Sequence, residues 1–181
     1  MTRRDTVADQ EIDRPRPRRA AWIAFLVLIL FAAIHVYWGL GFHAGLTTFL
    51  AYEGDREAEI IASPRFKAAG LWGVALLSVI GATIAGVVLR GRDGTTVPRR
   101  AVLLVSTAAA GVLAIRGAYG MVFGPMRIVG LVAIPDDVDA DWFWLDALLL
   151  APAFFVVGTS FAVIAWDQWQ RITWERSPRV R

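Results

Sequence analysis

Three ionisable residues sit inside apolar stretches of this chain, and they set its possible chemistry: His35, Arg116 and Asp146. A charged group at the centre of a bilayer costs about 2.5–3.5 kcal/mol even on lenient insertion scales, so such residues pair, bind or move protons. Histidine offers a hydrogen bond or an acid/base group. Arginine offers an anion-binding fork, and aspartate the counter-charge that makes a buried arginine tolerable. Trp38 and Tyr119, aromatic rings with polar tips, complete the candidate set.

Other chemistries are excluded by residue type and spacing. Cysteine is absent, which removes disulfides, thiolate metal sites, cysteine nucleophiles and the dithiol chemistry of small quinone-linked membrane oxidoreductases. His35 and His43 are eight residues apart on one segment, so they cannot clamp a haem between helices, and no H-E-x-x-H occurs. Gly39 and Gly41 follow a helical stretch rather than a strand and make no dinucleotide fingerprint; G-x-S-x-G and P-loop patterns are absent. No metal and no cofactor is expected.

The elements that must position these residues are long and apolar. No formal charge stands between Arg19 and Glu53, and a bilayer span takes about 20 apolar residues. Ala68–Leu89 forms a second stretch of 22 residues, Ala101 to Pro125 a third interrupted by Arg116, and the residues between Asp146 and Asp167 a fourth. In lipid each segment must satisfy its own backbone, which dictates helices. The expected fold is all-α: four transmembrane helices over about 20–42, 68–89, 101–124 and 143–166, in an antiparallel bundle. The first stretch exceeds a signal-peptide core and lacks an A-x-A site, so it is expected to remain as a span.

Charge gives the threading. The N-terminal tail (1–19) carries six arginines, the 90–100 connection four and the C-terminal tail (167–181) four, against four Lys or Arg in the opposite connections. The positive-inside rule then puts both termini in the cytoplasm, with the Arg14–Arg19 run in a disordered basic tail and 167–181 along the interface. These basic residues flank spans, so the net charge of +3 implies topology rather than nucleic-acid binding. The tryptophans divide between the two expected interfaces: Trp22, Trp166, Trp169 and Trp174 at the inner face, and Trp38, Trp72, Trp142 and Trp144 at the outer. An arginine-rich composition with abundant Ala, Gly and Val points to a GC-rich bacterial genome, and the spans with this threading then to the inner membrane.

Depth brings the ionisable residues together. His35 and Arg116 each lie fifteen residues past the expected inner start of their helices, about 22 Å, which leaves both roughly 8 Å below the outer surface of a hydrocarbon layer of about 30 Å. Asp146 is four residues into the descending fourth helix, roughly 6 Å down. Arg116 therefore either pairs with Asp146 or snorkels to the headgroups, and Asp146 either pairs or caps its helix. His35 shares a helix face with Trp38, Gly39 and Phe42 and serves as a structural hydrogen-bonder or as an acid/base. Tyr37 and Trp38 read as interfacial anchors.

Small residues set the packing. Ser78, Ala82 and Gly86 recur at four-residue steps, as do Ala110, Ala114 and Ala118. Gly120 and Gly124 form a GxxxG that serves packing within the chain or, secondarily, an oligomer. Pro152 is expected to kink the fourth helix. Residues 46–66 are acidic and are expected to hold a short surface helix. Residues 126–134 either extend the third helix past Pro125 or lie along the interface. The Asp137, Asp139 and Asp141 run lacks the glycine and glutamate of a calcium loop and reads as an acidic external loop.

At HVYWGLG in the first span and WFWLDALLLAPAFF in the fourth, the chain resembles a bacterial integral-membrane family catalogued as domain of unknown function 3995. The resemblance implies four spans between about Ala20 and Trp166, with His35, Tyr37, Trp38 and Gly39 as family positions, and it implies no activity. Three roles remain open at this point. The first is a non-enzymatic module that binds membrane lipid or a small hydrophobic molecule, or supports a membrane-protein partner. The second is a membrane enzyme using His35 with Arg116 and Asp146. The third is a proton-coupled transporter, which would need a polar path through Ser78, Thr83, Ser106, Thr107, Thr159 and Ser160.

Overall fold

The computed structural model describes residues 15–50, 57–91, 97–134 and 140–176. Among these every regular element is helical and four helices are long and apolar enough to cross a membrane. Helix α1 is Pro15–Gly39, α2 is Phe66–Arg90, α3 is Arg99–Ile128, and α4 comprises Ala140–Leu145, Asp146–Leu150 and Ala151–Arg176. Two short helices, Leu46–Leu50 and Glu57–Ala62, stand between α1 and α2, where one was expected.

The helices outrun their apolar stretches. Helix α1 begins at Pro15 rather than Ala20, so the Arg14–Arg19 run is helical from Pro15 onward. Pro15 and Pro17 fall in the first turn, where backbone N–H groups have no intrahelical partner to lose. The rest of the expected tail lies outside the described residues, as do residues 177–181 and most of the Asp137–Asp141 run. Helix α3 continues through Pro125, so residues 126–128 extend the helix instead of lying along an interface. It stops at Gly130, whose φ of +76° is left-handed. There Leu131 N–H donates to Met126 O at 2.8 Å and Gly130 N–H to Arg127 O at 3.0 Å, the paired bonds of a Schellman cap.

Two turns are wound as π-helix, Phe66–Gly73 opening α2 and Asp146–Leu150 within α4. The second precedes Pro152. Proline donates no bond to the carbonyl four residues back and its ring collides with it. The wider turn meets that constraint, and Ala151 N–H reaches Asp146 O, five residues back.

Helix α3 packs most extensively on α4, α1 on α2 and then on α4, and α2 touches α3 only lightly. Glycine permits these approaches. A Cβ at Gly117 would strike the backbone of Phe155 and the Ala151 carbonyl, and one at Gly158 the backbone of Ala114. The contacts pair Ala114 with Gly158, Gly117 with Phe155, Gly120 with Ala151 and Gly124 with Ala147. Between α1 and α2 they pair Phe25 with Gly86, Leu28 with Gly81 and Gly39 with Trp72. The GxxxG glycines are thus buried against α4 and spent within the chain.

Two buried clusters result. Ala21, Leu28, Ala85, Val102, Phe161 and Ile164 join all four helices toward the arginine-rich end. Trp38, Leu46, Leu50 and Leu71, backed by Ile34, Ile60, Ile61 and Phe66, close the opposite end. Outside these, the helices present large apolar side chains such as Leu77, Leu104, Val112, Ile115 and Leu148, an exterior suited to hydrocarbon rather than water.

Candidate functional site

The Trp38 end contains the polar set. Arg116 comes from the middle of α3 and Asp146 from the π-wound turn of α4. Arg116 Nη2 donates to Asp146 Oδ1 at 2.6 Å and Nη1 to Oδ2 at 3.4 Å, a two-pronged pair between helices. Its partners differ in exposure, 36% for the arginine side chain and 5% for the aspartate. Of the two alternatives for Arg116 the structure contains the pair, and Asp146 lies beyond the first turn of α4 instead of capping it.

The pair lies over Gly120. A Cβ there would stand 2.8 Å from Arg116 Nη1, 2.8 Å from Asp146 Oδ2 and 2.6 Å from the Ala151 Cβ. The glycine therefore leaves the space that the ion pair fills, a purpose the GxxxG pattern alone does not reveal. The flat guanidinium also rests against the Phe154 ring, 5.5 Å from its centroid.

His35 is 3% exposed and lies at the end of an aromatic series. Its ring packs on Phe31 at 4.7 Å, Phe31 meets Phe154 edge-on at 5.4 Å, and Phe154 carries Arg116. His35 thus adjoins the ion pair through two phenylalanine rings. Nδ1 is 2.8 Å from the Phe31 carbonyl, and since a carbonyl only accepts, Nδ1 carries the proton.

Trp38 caps the histidine, ring to ring at 5.3 Å. It is 8% exposed, and its Nε1–H donates to Ala44 O at 2.9 Å, so it seals the turn after α1 rather than anchoring in headgroups. Tyr37 is exposed and stacks on Phe42, which stands beyond the end of α1 and so leaves the face shared by His35 and Trp38. Tyr119 is not brought to the cluster. It points away from the Gly117–Gly120–Gly124 face, packs on Phe123 at 4.6 Å and faces Arg127, whose Nη2 is 3.5 Å from its hydroxyl.

Two polar residues escaped the sequence reading. Asp167 served there only as a boundary, yet it is buried and accepts from Arg171 Nε at 2.7 Å; their four-residue spacing on one helix face was the available signal. In the sequence Arg127 figures only as a charge on the side opposite the termini. It lies over Phe143, 5.1 Å from the ring centroid. The intramembrane hydroxyls are largely turned inward on their own helices: Thr83, Thr107, Thr159 and Ser160 each donate to the carbonyl four residues back.

Among the described residues, four apolar helices of spanning length, two of them joined by a cross-helix ion pair, mark the class as a multi-pass helical membrane protein. A family described as protein of unknown function (DUF3995) matches residues 28–161, about three-quarters of the chain. The chain belongs to that family, and the match takes in His35, Trp38, Arg116, Tyr119 and Asp146. No curated protein and no solved structure matches it.

Proposed function

We propose that this protein is a non-enzymatic module of the bacterial inner membrane that holds a membrane lipid or small hydrophobic molecule at the Trp38 end, alone or in support of a membrane-protein partner. One observation carries this reading: most of the polar groups within the spans are met inside the protein, with the Ser106 hydroxyl, buried without a partner, as an exception. Asp146 is occupied by Arg116, the His35 Nδ1 proton by the Phe31 carbonyl, and four hydroxyls by their own helices. What faces outward is apolar surface, in which the Arg116 side chain is partly exposed. An acid/base role would need a way to His35, which lies beneath Trp38 and against Phe31. Transport would need hydroxyls free to relay across the bilayer.

The same reading threads the spans as an antiparallel four-helix bundle, with residues 20–166 in and beside the membrane and both termini in the cytoplasm. The order of glycine contacts supports it, since partners on α4 fall in number as those on α3 rise. So do the fourteen Lys or Arg on the side of the termini. Intact-mass measurement of the full chain, purified from native membranes in mild detergent, tests the role. A retained lipid, small hydrophobic molecule or partner is expected; a bare chain that turns over a substrate contradicts it. A reporter fused after Arg181 should read cytoplasmic.

A further inference from the structure

We infer that the exposed row of α3 running inward from Arg127 holds one anionic phospholipid of the leaflet at the Trp38 end, its phosphate on Arg127 and Tyr119. This rests on the lipid-binding reading above and names the lipid class and its seat. Arg116 is neutralised by Asp146, whereas Arg127 has no carboxylate partner among the described residues. Its guanidinium lies over Phe143, its Nη2 stands 3.5 Å from the Tyr119 hydroxyl, and its Nε is shielded from solvent with no hydrogen-bond partner. The Arg116–Asp146 pair is neutral, whereas no carboxylate among the described residues neutralises Arg127. Arginine and a phenol side by side are the donors a phosphate takes.

Position fits the same ligand. Arg127 is eleven residues beyond Arg116 on α3, about 16 Å further along the axis, which sets it at headgroup level if Arg116 lies within the hydrocarbon. Below it, Phe123, Tyr119 and Ile115 follow at four-residue steps on one exposed row. From Arg127 to Ile115 is about 18 Å, a little more than one leaflet's half of a hydrocarbon layer of about 30 Å. An acyl chain can follow that row while the phosphate stays on Arg127. A zwitterionic lipid brings its own ammonium and gains less from an uncompensated guanidinium than an anionic one does.

The test is native mass spectrometry of the full chain released from nanodiscs containing equal phosphatidylglycerol and phosphatidylcholine. The wild type should retain phosphatidylglycerol in excess. Arg127→Gln should cut that excess about tenfold, the loss of one charge-assisted hydrogen bond. Tyr119→Phe, which keeps the arginine and the ring, should cut it by a smaller factor, and Arg65→Gln should leave it unchanged. An excess that survives both Arg127→Gln and Tyr119→Phe overturns this seat while leaving lipid binding in place. Equal retention of the two lipids overturns the anionic class, and no adduct of either overturns both this inference and the reading it rests on.

Discussion

Helix α4 carries a buried aspartate toward each end, and the two are neutralised in different ways. Asp167 is met by Arg171 one turn along the same helix, a pair that forms wherever that helix forms. Asp146 is met by Arg116, thirty residues away in the chain and on another helix, so that pair exists only once α3 and α4 have docked. The acids stand 21 residues apart, about 31 Å along a helix, close to the thickness of a hydrocarbon layer. One end is thus closed by local chemistry and the other by tertiary structure. A cross-helix pair reports on the fold in a way that an i,i+4 pair cannot.

Breaking the tertiary pair should have the largest effect. Arg116→Ala leaves the Asp146 carboxylate buried without a counter-charge, and a loss of about 3 kcal/mol is expected in denaturant unfolding of the detergent-solubilised protein. Gly120→Ala sharpens the point by leaving both charges in place. Its added methyl would sit 2.8 Å from each of the paired atoms, so about 1–3 kcal/mol should be lost by overpacking. Trp38→Phe keeps the ring over His35 but removes the bond to Ala44, worth about 1 kcal/mol. Arg171→Ala at the other end should cost less than about 1 kcal/mol, because its side chain is 44% exposed and its partner is local. A thermal melting series over the four variants checks the order.

What the sequence makes legible follows from which dimension a feature occupies. The four spans are visible because lipid demands an apolar run of fixed length. The Arg116–Asp146 meeting is visible because residue number along a membrane helix measures depth. Depth carries no lateral information, however. His35 is expected at the level of the pair, and its ring is linked to Arg116 through contacts of Phe31 and Phe154 rather than by a hydrogen bond to either charge. Trp38 has the depth of an interfacial anchor and is instead buried, since an indole facing lipid and one facing a neighbouring helix occupy the same level. Tyr119 could have been set aside from the glycine stripe, because Gly117, Gly120 and Gly124 mark the face toward α4 and Tyr119 is not on it. The early start of α1 at Pro15 was hidden because helices continue into headgroups with polar residues, whereas the extension of α3 past Pro125 was one of the two readings open for residues 126–134. The π-wound turn at Asp146 leaves no mark on the apolar pattern, which is the same for either winding.

The most direct measurement is a pair of double-mutant cycles on the detergent-solubilised full chain, Arg116→Ala with Asp146→Ala and Arg171→Ala with Asp167→Ala. Interhelical hydrogen bonds in membrane proteins couple by about 0.6 kcal/mol on average and about 1.7 at most. A two-pronged ion pair with a buried carboxylate should reach or pass that upper value at Arg116–Asp146, while Arg171–Asp167 stays below about 0.5 kcal/mol. Equal coupling at the two ends would contradict the claim that the cross-helix pair holds α3 to α4.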